Sequence, residues 1–333
     1  MSAGPPTPSV RRRTQQSWYP SDLICAQRLH RRRVDRVTSK RWTVVDFPDL
    51  TGRTVIVTGA SSGLGIATTR ELARAGARVV LAVRNVAKGE EVARSVGGAT
   101  DVRQLELTDL ASIRAFASAW TSDVDILVNN AGIMMVPQGS TADGFELQIG
   151  TNHLGHFALT NLLLPHIRDR VVTVSSQLHR NGRVDVDDLN WERRPYDPVR
   201  AYADSKQANL LFTLELQRRL VAVGSGVRAV SAHPGLASTN LSAHLRGFRG
   251  IVASIGVHTF AQGAEQGALP TLFAATQDIP GNSYVGPDGV ARMRGYPVVQ
   301  TPSKASQDPE LARRLWARSA ELTRVDSPVP APA

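Results

Sequence analysis

Short runs of β-branched residues alternate with helical segments along most of this chain, and that alternation leaves few architectures open. Thr54-Val55-Ile56-Val57-Thr58, ended by Gly59, reads as a buried strand. A helical segment follows over 63–75, stopped by Gly76, and then a strand over 78–83. The sequence goes on to predict helix near 87–96, strand 102–107, helix 109–120, strand 125–129, helix 143–166, strand 170–175, helix 201–222 and strand 227–232. Strands separated by helices pair in parallel through right-handed crossovers, with helices on both faces. The expected fold is an α/β doubly wound parallel sheet of about seven strands in one domain, binding its ligand at the carboxyl ends of the strands. Beyond 232 the pattern loosens: a Gly- and His-containing stretch over 236–262, a helix from near Gln262, and a capped amphipathic helix over 308–323. The Pro-rich tail, 326–333, is expected to fray.

Composition agrees with a soluble domain that has a sizeable core: 333 residues, 42% hydrophobic and 20% charged. No run approaches the roughly 18 uninterrupted apolar residues of a membrane span. The one cysteine, Cys25, excludes internal disulfides, a CxxC redox pair and a cysteine-built zinc site, and a cytoplasmic setting is expected. Of the net charge of +10, residues 1–41 carry +8, from ten basic side chains against Asp22 and Asp35. This arm opens Gly4-Pro5-Pro6-Thr7-Pro8, contains two Arg triplets and lacks apolar periodicity, so it reads as largely disordered. It suits an anionic surface, an organelle-targeting peptide or an extension dispensable to the body over 42–325. The last reading is favoured, and no nucleic-acid partner is expected.

Chemistry concentrates in two motifs. Thr58-Gly59-Ala60-Ser61-Ser62-Gly63-Leu64-Gly65 lies between the first strand and the first helix. Its glycines permit a tight turn and close backbone approach, and the helix N-terminus offers free N–H groups to a phosphate. Tyr202-Ala203-Asp204-Ser205-Lys206 is the only Tyr-x-x-x-Lys in the chain. At positions i and i+4 the two side chains share a helix face. An ammonium there is expected to lower the tyrosine pKa and fit it for proton transfer at an alcohol oxygen.

These motifs occur in order with Asn129-Asn130-Ala131-Gly132, Asn152-His153-Leu154-Gly155-His156-Phe157, Val174-Ser175-Ser176 and His233-Pro234-Gly235. In that order, over about 42–325, the chain resembles the short-chain dehydrogenase/reductase family, most closely its retinol-dehydrogenase-like branch. The resemblance implies a Rossmann fold and an oxidoreductase interconverting a carbonyl and an alcohol. It implies Tyr202 as acid–base, Lys206 on the nicotinamide ribose, Ser176 on the substrate oxygen and Asn152 holding a water in a relay to Lys206. It places the cofactor against Gly59, Ser61, Ser62, Gly63, Leu64, Gly65, Glu106, Leu107, Asn129, Ala131, Gly132, Pro234, Gly235, Ala237 and Thr239. Ser175 reads as a structural neighbour of Ser176, and Asn129 and Asn130 as structural.

Cofactor choice follows from charge. The second strand ends Ala82-Val83-Arg84, with no acid to grip a ribose 2′-OH and with a guanidinium suited to a 2′-phosphate. NADP (as NADPH) is therefore expected over NAD. Glu106 stands where the family carries an adenine-contacting aspartate, while Asp109 reads as a helix cap. His153 and His156 lack a third ligand set, so no metal is expected. Met134-Met135 reads as core or pocket wall, and His179 as pocket lining or surface loop.

The expected substrate is a small carbonyl or alcohol compound of apolar character, since a lid over 236–260 would supply Leu236, Leu241, Leu245, Phe248, Ile251 and Val252. Two other readings compete. A catalytically idle NADP-bound sensor or scaffold has no need of the full Tyr202, Lys206, Ser176 and Asn152 set. A light-dependent protochlorophyllide-type reductase would need an active-site cysteine, and Cys25 lies in the arm. The resemblance leaves a homo-oligomer open, paired through the helices near 143–166 and 201–222.

Overall fold

The computed structural model describes residues 41–235, 263–325 and 327–331. The strands are β1 (Thr54–Thr58), β2 (Arg78–Val83), β3 (Thr100–Gln104), β4 (Val124–Asn129), β5 (Ile167–Val174), β6 (Arg228–Ala232), β7 (Tyr284–Pro287) and β8 (Pro297–Gln300). They form one sheet in the order β3-β2-β1-β4-β5-β6-β7-β8. Pairing is parallel from β3 through β7, and β8 closes the edge antiparallel to β7, with Tyr284 opposite Gln300. This is the doubly wound sheet expected, with one more strand; β8 is too short, at four residues, to show a period.

The helices are α1 (Gly63–Arg74), α2 (Val86–Val96), α3 (Leu110–Ser118), α5 (Pro198–Ala222), α6 (Ala264–Thr276) and α7 (Pro309–Thr323). Between α3 and α5, Leu147–Ile149, a π-helical stretch Gly150–Leu154 and Gly155–Leu163 run on as one helix, α4. The third strand ends earlier than the alternation of Leu105 and Leu107 suggested. Gln104 is the last residue paired with β2. Glu106 then accepts Thr108 N–H at 3.0 Å and gives its own N–H to Ser112 Oγ at 3.0 Å, bending the chain out of the sheet. The helix over 201–222 begins at Pro198, because Asp197 caps it through Val199 and Arg200 N–H.

Alternating residues of the strands feed two cores. Ile56, Val80 and Leu127 point into a cluster with Phe116, Phe157, Phe212 and Trp316. On the other side α1 packs against α6. Trp316 of α7 stacks on Phe212 at 5.5 Å and meets Phe157 edge-on at 5.0 Å, so α7 covers part of the two helices that the resemblance implies for subunit pairing. Val325 and Val329 are buried in the same cluster, and Arg219 Nη1 donates to Val329 O at 3.3 Å. The tail around Val329 is thus anchored rather than frayed, because its valines complete an apolar surface that α7 leaves open.

Candidate active site

Strand order reverses between β1 and β4, so their following turns diverge and leave a crevice. The turn after β1 is tight: Gly59 and Gly63 hold φ of 66° and 48°. A Cβ on Gly65 would stand 2.2 Å from Gly59 O, and one on Gly59 would stand 2.9 Å from Ala131 Cα. The first contact locks α1 against the turn, and the second lets the Asn129–Gly132 turn sit directly beside it. Ser61 through Leu64 remain partly or fully exposed, and Ser62 caps α1 without a side-chain bond. The helix N-terminus therefore keeps N–H groups for an outside acceptor, and the glycines leave room for it to approach: these residues fit a dinucleotide pyrophosphate. Gly65→Ala is expected to cost about 1–3 kcal/mol, because backbone sits on both sides of the clash; a lowered Tm in thermal melting would check it.

The β4 turn is tied to β1 by one hydroxyl. Thr58 Oγ accepts Asn130 N–H at 2.9 Å and Ala131 N–H at 3.0 Å, while Asn130 Nδ2 donates to Thr58 O at 2.8 Å. Asn129 turns away, its Nδ2 donating to Thr160 Oγ at 2.9 Å. Both side chains thus bond within the fold, Asn130 to Thr58 and Asn129 to Thr160.

Asn152 lies in the π-helical stretch of α4 and joins three segments. Its Oδ1 accepts Ile133 N–H at 2.8 Å, and its Nδ2 donates to Ile133 O at 3.0 Å and Ser205 Oγ at 2.9 Å. Both of its amide hydrogens are committed, which leaves its backbone carbonyl and one lone pair of Oδ1 as acceptors for a water. His156 Nδ1 already lies 3.1 Å from that carbonyl, with Nε2 2.9 Å from Thr58 Oγ. A Cβ on Gly132 would fall 3.0 Å from Asn152 Oδ1 and 3.3 Å from Lys206 Nζ, which brings these three residues to one point.

Ser175 and Ser176 differ in burial and in partners. Ser175 Oγ donates to Lys206 O at 2.8 Å and is buried. Ser176 Oγ accepts Leu178 N–H at 3.2 Å and lies near enough to the Tyr202 hydroxyl to favour its ionised form. Lys206 Nζ donates to Val174 O at 3.1 Å and lies 5.8 Å from the centre of the Tyr202 ring. One expectation is reversed. Burial pushes Tyr202 up to about 12, opposed by Ser176, and pushes Lys206 down to about 8. Desolvation is the largest cause for both groups, and Lys206 is not among those that offset it at Tyr202.

At the far end of the crevice Arg84 follows β2 with its side chain 80% exposed, its Nε 3.7 Å from Glu106 Oε2. Sequence reasoning missed this pairing. Glu106 also holds Thr108 N–H, and Asp109 caps α3 through Ala111 N–H at 2.8 Å. Leu107 is buried, its carbonyl facing Gly155 so closely that a Cβ there would come within 2.5 Å. Gly235 holds φ of 71° beside Met293 O, whereas Ala237, Thr239 and the expected lid over 236–260 lie outside the described residues.

The discounted histidines each have a partner. His153 Nε2 lies 2.8 Å from Ser319 Oγ on α7, His156 bridges Thr58 and Asn152, and among the described residues no metal-holding group of three ligands occurs. His179 is fully buried, neither surface loop nor pocket lining. Met135 sits at φ 52° and donates its N–H to Gln148 Oε1 at 2.7 Å, a wall of the β4 turn. His156 and Ser205 were the organising residues sequence reasoning passed over; the i+4 spacing of His156 from Asn152 was the available signal.

Known proteins match this arrangement. Residues 53–249 match the family model described as short chain dehydrogenase. Retinol dehydrogenase 13 of Homo sapiens is 41% identical over 297 residues, covering 83% of this chain and 86% of its own. The crystal structure of an uncharacterized protein from Mycobacterium Paratuberculosis is 51% identical at a TM-score of 0.77, covering 87% of this chain and all (100%) of that one. A protein from Beutenbergia cavernae solved with bound NADP at low occupancy is 30% identical at a TM-score of 0.52, covering 68% of this chain and 91% of its own. The chain belongs to the short chain dehydrogenase family, in its retinol-dehydrogenase-like branch. It is accordingly an oxidoreductase acting between carbonyl and alcohol. No helix among the described residues is long and apolar enough to cross a membrane.

Proposed function

We propose that this chain reduces an apolar aldehyde or ketone to its alcohol with NADPH, with Tyr202 as the proton donor. The observation that carries this reading is geometric: the buried Tyr202 ring has Ser176 beside its hydroxyl and Lys206 Nζ 5.8 Å from its centre. A phenol kept protonated across the neutral range is an acid, and an acid is what carbonyl reduction needs. A nicotinamide bound in the crevice supplies the hydride. Ser176 Oγ holds the substrate oxygen beside Tyr202 and stabilises the charge developing on it. Tyr202 then passes its proton to that oxygen. Lys206, with Nζ committed to Val174 O by only one of its N–H groups, keeps donors for a ribose hydroxyl. Asn152 fixes Ile133 and Ser205 around that ammonium. The names of the relatives support a retinoid or similar apolar carbonyl as substrate.

Arg84 supports NADPH over NADH. Its contact with Glu106 is long and exposed, and such pairs contribute about 0–1 kcal/mol. A 2′-phosphate dianion therefore displaces it at little cost. The test follows consumption of NADPH and NADH against retinal, aliphatic aldehydes, quinones and steroid ketones. NADPH is expected to be preferred, and Arg84→Ala to raise its KM about tenfold or more, for a charged hydrogen bond worth about 1.5–3 kcal/mol, with NADH little changed. A preference for NADH, or an Arg84→Ala protein with unchanged KM for NADPH, would remove Arg84 from the cofactor site.

A further inference from the structure

Next to Ser176 lies a buried ring system that the chemistry above does not use. His179 belongs to the 3₁₀ turn Gln177–Asn181 that follows β5. Its backbone N–H reaches Ser176 O at 3.1 Å, and its ring Nδ1 reaches the same oxygen at 2.7 Å. Its Nε2 lies 3.1 Å from the backbone N–H of Ser303. A backbone amide can only donate, so Nε2 carries the lone pair and the ring proton sits on Nδ1, aimed at Ser176 O.

The ring is wedged by Tyr284 of β7, perpendicular to it at 5.3 Å. On the other side of Tyr284, His233 stacks at 5.1 Å. His233 Nδ1 takes Gly235 N–H at 3.2 Å, while its Nε2 faces Gln300 Oε1 of β8 at 3.3 Å. A Cβ on Gly286 would come within 1.9 Å of the His233 ring, so β7 is shaped to admit it. The two-stranded edge β7–β8 thus holds the ends of β5 and β6 from behind, one through each histidine.

We propose that His179 is a positioning residue for Ser176: as the neutral Nδ1–H tautomer it pins the Ser176 carbonyl and so sets where Ser176 Oγ stands beside Tyr202. The proposal rests on the reductase reading, in which Ser176 holds the substrate oxygen. Ser176 Oγ is otherwise fixed only by Leu178 N–H at 3.2 Å and by Tyr202. The ring bond, at 2.7 Å, adds to the longer hold of the His179 N–H on the same carbonyl. Burial, aided by Arg180 and Arg292, drives the imidazole down to about 4, against its bond to Ser176, and keeps it neutral at working pH.

The test compares His179→Asn with His179→Leu and records the nitrogen NMR spectrum of the wild-type imidazoles. An asparagine amide reproduces the Nδ1 donor; leucine fills the volume without one. His179→Leu is expected to lose roughly tenfold to a hundredfold in kcat, the scale of a small misplacement of a reacting group, with the Kd for NADPH unchanged. His179→Asn is expected to recover most of that loss. The wild-type spectrum at neutral pH is expected to show Nδ1 protonated and Nε2 bare. Equal losses in both variants would reduce His179 to packing, and an Nε2–H tautomer would overturn the clamp even if neither variant folds. Wild-type protein that reduces no carbonyl would instead defeat the reductase reading, leaving the imidazole spectrum to decide the clamp.

Discussion

Tyr202→Phe is expected to lower kcat for carbonyl reduction by roughly 10²–10⁴-fold, the usual contribution of a positioned general acid, while leaving NADPH affinity and Tm nearly unchanged. The ring is buried at 5% exposure and packs identically as phenylalanine; only the hydroxyl that meets Ser176 is lost. Because burial raises this phenol to about 12, the wild-type reduction rate should be level across neutral pH and fall only on the alkaline side. Alcohol oxidation should run the other way, rising with pH, since it needs the base form. Lys206, pushed down to about 8, begins to lose its charge earlier, so KM for NADPH is expected to climb before kcat declines. Steady-state rates in both directions, with NADPH binding measured separately, check each part. A Tyr202→Phe protein that keeps wild-type kcat would take proton transfer away from this residue.

The sheet and the pairing of Tyr202 with Lys206 on one helix face were largely legible in the sequence because both depend on local pattern. Val55, Ile56 and Val57 have no exposed face in a parallel sheet, so their run is unbroken, and Tyr202 and Lys206 share a face by helical period alone. What escaped depends on distance through space. Leu105 and Leu107 alternate like a strand, but Glu106 bonds Thr108 and Ser112 and turns the chain. The sign of the Tyr202 shift needed its burial, which spacing does not contain. Arg84 meets Glu106 only because β2 and β3 are neighbours. His179 lies three residues from Ser176, yet its role comes from Ser303 and Tyr284, more than a hundred residues away in the chain, at separations of 124 and 105.

Acid is expected to unfold this protein cooperatively between about pH 4 and 6, well above the range in which surface carboxylates titrate. Four buried histidines set that window. Burial lowers His153 to about 3 and His156, His179 and His233 to about 4, and each is at most 1% exposed. Their folded pKa values lie below the unfolded value of about 6.5. The unfolded chain therefore binds more protons as pH falls, and stability fully present above pH ~6.5 is lost toward pH ~4. At ~1.36 kcal/mol per unit, each ring accounts for about 3–5 kcal/mol. Two of them together rival a typical net stability of about 5–15 kcal/mol. Glu146 and Asp204, raised by burial, act in the opposite sense but are fewer. The measurement is tryptophan fluorescence and circular dichroism against pH, with stability from denaturant titrations at each step. His153→Leu supplies the control, since that ring packs against Phe157 and Phe212 and lies 2.8 Å from Ser319 Oγ, away from the Tyr202 hydroxyl. Its removal should reduce proton uptake on unfolding by about one, flattening the slope by ~1.36 kcal/mol per pH unit. A native spectrum retained at pH 4 would mean that these rings are hydrated or charged in the folded state.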